Sequence, residues 1–340
     1  MINTNTIYSN SVRCIASEIE ADGGSVLVTG ATGLIGSCIV DTFLAANHTF
    51  GKHFTVYAIG RNKEKLFKRF GSNGDVRCVA QNVTSPIEIS GLNYIIHAAS
   101  NADPRSYALY PVETIFTNIM GAKSVLENGK TNNARVLLTS TFEIYGKLEQ
   151  DEYGEKDYGV VDLDLIRSCY PESKRTAESL FKAYHDEYNV DCITVRLSSI
   201  YGPTMQVNDS KAHAQFLMNA LQEKNIVLKS EGTQKRTYCY VMDAVSGILA
   251  VLFRGKSGET YNVANDKSIA TIAELAEIIA DISGTKVVFD LPDDIESKGF
   301  SRPQNCVLNT EKIKALGWHG KYGLKQGLME TLEILKAIQQ

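Results

Sequence analysis

Tyr170 and Lys174 stand four residues apart in the stretch "SCYPESKRTAESLFKAY" (168–184). On a helix that spacing puts both side chains on one face, one turn apart. A phenol beside an ammonium is either a plain helix surface or an acid/base pair. In the second case the positive charge favours the phenolate, which can take a proton from a hydroxyl. Spacing alone leaves both readings open.

The stretch "TGATGLIG" (29–36) offers a different chemistry. Gly30 permits a tight turn, Gly33 lets the backbone approach a pyrophosphate, and Gly36 allows close helix–strand packing. The backbone N–H groups around Thr32, Gly33, Leu34 and Ile35 then open a helix whose positive dipole end suits phosphate. A glycine triplet is weak evidence by itself, but this one follows a strand and opens a helix, as dinucleotide binding requires. An NAD site usually has an acid after the second strand to hold the ribose 2′-hydroxyl. Here "AIGRN" places Gly60 and Arg61 there instead. Arg61 either pairs with a 2′-phosphate, favouring NADP over NAD, or is a solvated arginine. Asn82, after the third strand, either hydrogen-bonds adenine or forms an ordinary turn.

These residues need a scaffold. The sequence predicts strands at 25–30, 54–60, 76–82, 92–100, 134–146 and 192–203. Helices are predicted at 33–47, from about 63, at 111–130 and across the Tyr170 stretch. Strand–helix alternation of this kind implies a doubly wound parallel sheet of the Rossmann type, an α/β fold with ligands at the carboxyl ends of the strands. Residues 1–22 read as a lead-in with a short helix. Residues 23–203, with a contribution from 236–254, form the dinucleotide domain. Residues 204–235 and 255–340 form a smaller mixed C-terminal lobe for substrate.

Composition narrows the classes. The chain has 340 residues, is 44% hydrophobic and carries a net charge of −4. It can bury a large core, and it presents no basic field for nucleic acid. No apolar run approaches the roughly 18–20 residues that span a bilayer, and no signal peptide is expected. Seven scattered cysteines without a C-x-x-C pair argue against structural metal and a disulfide framework, and for the cytoplasm.

With "HAAS" (97–100), "TNIMG" (117–121), "TSTFEIYG" (139–146), "YPESK" (170–174), "RLSSIYGP" (196–203) and "KRTYCYVMD" (235–243), the chain resembles the extended short-chain dehydrogenase/reductase family over residues 23–338. These are NAD(P)-dependent nucleotide-sugar epimerases and dehydratases. The nearest branch resembles the UDP-glucuronate decarboxylases. The resemblance implies oxidation of a sugar hydroxyl, usually at C4, with Tyr170 as base. Lys174 and the oxidised nicotinamide ring together would lower the Tyr170 pKa, Lys174 would also hydrogen-bond the nicotinamide ribose, and Thr141 would donate to the same sugar oxygen. Ala98 and Ala99 would line the cofactor. Glu143 either takes the C5 proton or is a structural carboxylate at a strand end. The dehydratases carry an aspartate and the decarboxylases a serine where this chain has Phe142. Arg236 and Arg302 match arginines that grip the diphosphate or sugar acid. Ser199 replaces the usual asparagine, and Arg105 and Tyr107 lie where the sugar would pass.

The expected partner is a nucleotide-diphosphate sugar. The expected assembly is a homodimer formed through a four-helix bundle by helix 111–130 and the Tyr170 helix. Three activities stay open: an epimerase, decarboxylase or dehydratase that recycles its cofactor; an NADPH-dependent reductase of a 4-keto sugar; and a non-catalytic dinucleotide-binding regulator.

Overall fold

The computed structural model describes residues 5–290 and 305–339. In chain order the elements of the first half are α1 (Thr6–Ala16), β1 (Gly23–Thr29), α2 (Leu34–Phe50), β2 (His53–Gly60), α3 (Lys63–Phe70), β3 (Val76–Ala80), β4 (Tyr94–His97), α4 (Pro104–Leu109), α5 (Pro111–Asn132) and β5 (Arg135–Thr141). Then come β6 (Glu152–Tyr153), α6 (Cys169–Tyr188), β7 (Cys192–Leu197), β8 (Ser199–Tyr201), α7 (Ala212–Leu221), β9 (Ile226–Leu228), β10 (Lys235–Tyr240), α8 (Val241–Arg254), β11 (Thr260–Val263), β12 (Ile269–Thr271), α9 (Ile272–Ser283), β13 (Val287–Phe289) and β14 (Val307–Leu308). The C-terminal helix is Leu324–Gln339.

Seven strands form one sheet in the order β11-β7-β5-β4-β1-β2-β3, and every pairing within it is parallel. Such a sheet must be covered on both faces, so its strands read as apolar runs rather than alternating ones. Val26, Leu27 and Val28 of β1 and Val136, Leu137 and Leu138 of β5 are accordingly all buried. Each such side chain contributes about 1.5–3 kcal/mol relative to leaving it in water. The chain reverses its winding between β1 and β4, which is where ligands enter folds of this kind. The two long helices end on asparagines in the left-handed conformation, Asn133 (φ 52°) after α5 and Asn189 (φ 56°) after α6, a helix stop that Asn tolerates.

Two predicted elements divide differently. The stretch 192–203 is two strands. β7 stays in the large sheet, while β8 leaves it and pairs in parallel with β10. β10 also pairs with β12 to make a separate three-stranded sheet. The seventh strand of the large sheet, β11, comes from the segment assigned to the lobe. Its four residues are too short to announce themselves in sequence, and pairing with β7 decides their place. Of residues 236–254, α8 packs on α2 and α1 beside the large sheet, whereas β10 belongs to the small one. The lead-in is docked: α1 buries Tyr8, Val12 and Ile15, and the Tyr8 hydroxyl donates to Asp41 Oδ2 of α2 at 2.6 Å. Among the described residues no helix is long and apolar enough to cross a membrane.

Candidate functional site

The glycine turn joins β1 to α2 at the reversal point. Gly30 has φ +66°, and a Cβ there would lie 2.6 Å from the Ala98 carbonyl oxygen. A Cβ on Gly36 would lie 2.3 Å from the Gly30 oxygen. Both positions therefore exclude any side chain. Gly33 differs, because a Cβ there would meet only the Gly30 oxygen, at 3.2 Å. Its open side is space that a ligand can approach. Gly33 caps α2 without a side-chain hydrogen bond, so the N–H groups of Leu34, Ile35 and Gly36 open the helix with no partner within it. This cradle fits a dinucleotide pyrophosphate.

The cradle is braced from two sides. The Ala99 N–H donates to Thr29 Oγ1 at 3.2 Å, and the same oxygen lies 2.8 Å from His97 Nδ1. Burial, helped by the Lys174 charge, pushes the His97 imidazole down to about 3, so His97 is a neutral strut. From the other side, Thr204 Oγ1 donates to the Leu34 carbonyl at 2.8 Å, and Gln206 Nε2 donates to the Thr32 carbonyl at 3.2 Å. Asn82 is exposed, and its Oδ1 accepts from the Thr84 N–H at 3.2 Å, the turn-forming alternative. Arg61 is not a lone solvated cation. Its Nη1 donates to Glu113 Oε1 of α5 at 2.7 Å, and its Nη2 donates to Asn101 Oδ1 at 3.3 Å.

A second cluster gathers at the carboxyl end of β5 and the first turn of α6. Tyr170 is buried, and the Tyr107 ring from α4 stacks on it with centroids 4.5 Å apart and planes 14° apart. Thr141 ends β5; its Oγ1 accepts from the Glu143 N–H at 3.3 Å, and its side chain acts to lower the Tyr170 phenol. Arg167 Nη2 donates to Glu143 Oε2 at 2.7 Å, with both side chains largely buried. Behind the cluster Ser100 Oγ donates to Asn118 Oδ1 at 2.8 Å, Asn118 Nδ2 donates to Ser173 Oγ at 2.9 Å, and Ser173 Oγ donates to the Tyr170 carbonyl at 3.0 Å. That chain ties α6 to α5 and the end of β4.

The Tyr170 phenol is raised above its ordinary value, first by burial and then by the Glu143 charge. Thr141, Tyr107 and Arg167 act in the opposite direction. Lys174 does not head that list, because its Nζ is turned to the Thr139 carbonyl at 2.9 Å. Burial pushes the Lys174 ammonium itself down to about 8. In the protein alone, desolvation outweighs the helical neighbour.

Toward the lobe, the Arg236 guanidinium lies 5.2 Å from the centre of the Phe142 ring. Phe142 therefore forms a platform beneath that guanidinium. Ser199 lies in β8 opposite Tyr238 of β10. Arg105 is exposed on α4, and its backbone N–H donates to Ser210 Oγ at 3.1 Å. Arg302 lies outside the described residues. The structure thus brings Thr141, Glu143, Tyr107 and Tyr170 together, with Lys174 one helical turn along. Sequence reasoning missed the Arg167–Glu143 pair, the Glu113 partner of Arg61 and the Asn118 strut. Arg167 sits three residues before Tyr170, a signal that could have been weighed. Glu113 carries no local signal at all.

A profile described as the NAD dependent epimerase/dehydratase family matches residues 26–264. UDP-glucuronic acid decarboxylase 3 of Arabidopsis thaliana is 33% identical over 308 residues, which is 89% of this chain and 86% of that protein. The fold matches a structure of dTDP-glucose 4,6-dehydratase from Streptomyces venezuelae with NAD bound, at TM-score 0.80 and 24% identity, covering 92% of this chain and 97% of the other. It also matches UDP-glucose 4-epimerase from Thermotoga maritima with UDP-glucose, at TM-score 0.79 and 21% identity, covering 93% and 100%.

Proposed function

Because the chain belongs to the NAD dependent epimerase/dehydratase family, we propose that it is a nucleotide-sugar-modifying enzyme that oxidises a sugar hydroxyl, at C4, and recycles its cofactor. The observation that carries this reading is the meeting of Thr141, Tyr170 and the Glu143–Arg167 pair on the sheet edge that carries the glycine cradle. When bound, the nicotinamide accepts and returns a hydride.

The residues of the chain manage the proton. Tyr170 takes it from the sugar hydroxyl and later gives it back. Thr141 hydrogen-bonds the same oxygen and fixes its position. The Lys174 ammonium would hydrogen-bond the nicotinamide ribose when the cofactor is bound. For epimerisation next to the ketone, Glu143 takes the C5 proton, which becomes acidic once C4 is a ketone. The Arg167 guanidinium keeps Glu143 in place through its 2.7 Å ion pair.

Phe142 has no proton to give, which disfavours loss of a 6-hydroxyl and leaves epimerisation or decarboxylation. In a uronate, a C4 ketone stands β to the carboxylate. The C5–C6 bond can then break with loss of CO2, its electron pair passing into an enolate at C4; a proton from solvent replaces the carboxylate at C5, and Tyr170 returns its proton to the C4 oxygen when C4 is reduced. Arg236, on its Phe142 platform, and Arg302 grip the diphosphate or the sugar acid, and Arg105, Tyr107 and Ser199 line the sugar path. The 33% identity to a UDP-glucuronic acid decarboxylase supports the uronate.

The assembly we propose is a homodimer. Val112, Phe116 and Met120 recur every four residues on α5 and are 63%, 58% and 37% exposed. An apolar stripe of that kind marks a contact face. A monomer by light scattering at micromolar concentration would refute the dimer. The seven cysteines are all free thiols, as a reducing cytoplasm allows.

The function is tested by offering UDP-, GDP-, CDP- and dTDP-sugars and uronates, and following products by mass spectrometry. Turnover without added NADPH is expected, falling by about 10²–10⁴-fold in Tyr170→Phe with cofactor binding kept. Stoichiometric NADPH consumption with a 4-keto sugar alone would replace this reading with a net reductase. Equal turnover in Tyr170→Phe would remove the acid/base assignment.

A further inference from the structure

Arg61 and Glu113 are 52 residues apart in sequence, yet they form a 2.7 Å ion pair. Its place in the fold gives it meaning. Arg61 follows β2, Asn101 follows β4, and Glu113 lies in the first turn of α5. β1 lies between β2 and β4 in the sheet. An arginine from the end of β2 that reaches Asn101 and Glu113 therefore passes over the carboxyl end of β1, where the glycine cradle begins. The Asn101 side chain closes the arrangement, donating from Nδ2 to the same Glu113 oxygen at 3.3 Å.

We propose that Glu113 is the cofactor-selecting residue: it delivers from α5 the acid that the end of β2 lacks, and it occupies Arg61, so that the groove takes NAD in preference to NADP. The inference rests on the dinucleotide reading of the cradle and deepens it.

Two physical consequences follow from the geometry. A 2′-phosphate carries close to two negative charges and would have to draw Arg61 away from Glu113, while the Glu113 carboxylate repels it at short range. A ribose 2′-hydroxyl has a proton to donate, and the carboxylate can accept it without disturbing the pair. Both side chains are more than half exposed, 57% for Arg61 and 51% for Glu113, so either can be replaced without opening the core. The Arg61 guanidinium also holds the Glu113 carboxyl below its ordinary range, with Asn101 assisting, so the acid is charged across the neutral range.

The test is direct binding, independent of any sugar substrate. NAD and NADP are titrated by calorimetry into cofactor-stripped full-length protein, its Glu113→Gln variant, and the Glu113→Gln/Arg61→Met double variant. The expected wild-type result is at least about tenfold tighter binding of NAD. In Glu113→Gln, NADP affinity rises about tenfold and NAD affinity falls or holds, and in the double variant the gain for NADP disappears. A wild type that prefers NADP, or an NADP-to-NAD ratio that moves less than twofold in Glu113→Gln, overturns the proposal. If wild type binds neither nucleotide, the dinucleotide reading fails and the proposal fails with it, an outcome distinct from an unchanged ratio. Thermal melts of all three proteins confirm that they are compared in the folded state.

Discussion

The dinucleotide cradle and the Tyr170 cluster share one edge of one sheet, and they are built in opposite ways. The cradle is backbone. Eight consecutive residues, 29–36, supply its turn, its open side and its helix N-terminus, and the main features are positions where a side chain is absent. The cluster is side chains. Tyr107, Thr141, Glu143, Arg167 and Tyr170 come from α4, the end of β5, the turn that follows β5, the turn that leads into α6, and the start of α6. Each is placed by a different packing contact, and most are buried together. A backbone site depends on φ and close approach, so local sequence can encode it. A side-chain site depends on which elements the sheet brings side by side, and its charges interact in a dry environment that alters each of them.

That contrast can be broken or sharpened by substitution. The largest effect is expected at the cradle. Gly36→Ala forces a Cβ to within 2.3 Å of a backbone oxygen, so the turn must shift, costing about 3 kcal/mol and abolishing dinucleotide binding. Gly33→Ala, with only one atom nearby, is expected to keep the melting temperature and lose at least about tenfold in NAD affinity. Thermal melts and nucleotide titration of the two variants read this out. Equal behaviour of Gly33→Ala and Gly36→Ala would show that the cradle is not divided as described.

The next effect has the opposite sign on stability. Lys174 is buried with its ammonium pushed from 10.5 to about 8. Below pH 8 the folded protein carries the full cost of a buried charge. Between 8 and 10.5 the folded state has released the proton while the unfolded chain still binds it, so stability rises with pH and the cost fades. Lys174→Met is therefore expected to stabilise the fold at pH 7 by about 2 kcal/mol, after allowing for the lost hydrogen bond to the Thr139 carbonyl. The gain should vanish near pH 10.5, and turnover should collapse at every pH. Melts from pH 6 to 11 check it; destabilisation at pH 7 would mean that the lysine is a structural residue first.

The smallest effect isolates a hydroxyl. Tyr107→Phe keeps the ring stacked on Tyr170 and removes the group that helps lower the Tyr170 phenol. The acidic limb of the kcat/KM profile should move to higher pH and turnover at pH 7 should fall about fivefold, with KM little changed. An unmoved profile would make Tyr107 a ring platform only.

Legibility followed the same division. The strand–helix alternation, the glycine turn and the Tyr170–Lys174 pair were readable because each is a local periodicity or a short motif. The split of 192–203 into β7 and β8 was not, since both halves are apolar and only their pairing partners differ. β11 was missed because four residues carry no pattern beyond their burial.

The amino-acid sequence by itself determined the turn that can cradle a pyrophosphate, because glycine's missing Cβ acts at its own position. It also determined that Tyr170 and Lys174 share a helix face, because 3.6 residues per turn allows nothing else. Only the tertiary structure decided the charge environment of that pair, since burial and the neighbouring Glu143 set the phenol while Lys174 turned to a strand carbonyl. Only it decided the fate of Arg61, whose partner arrives from another helix. Electrostatic effects depend on distance through space and on solvent access, and neither quantity is written in a linear chain.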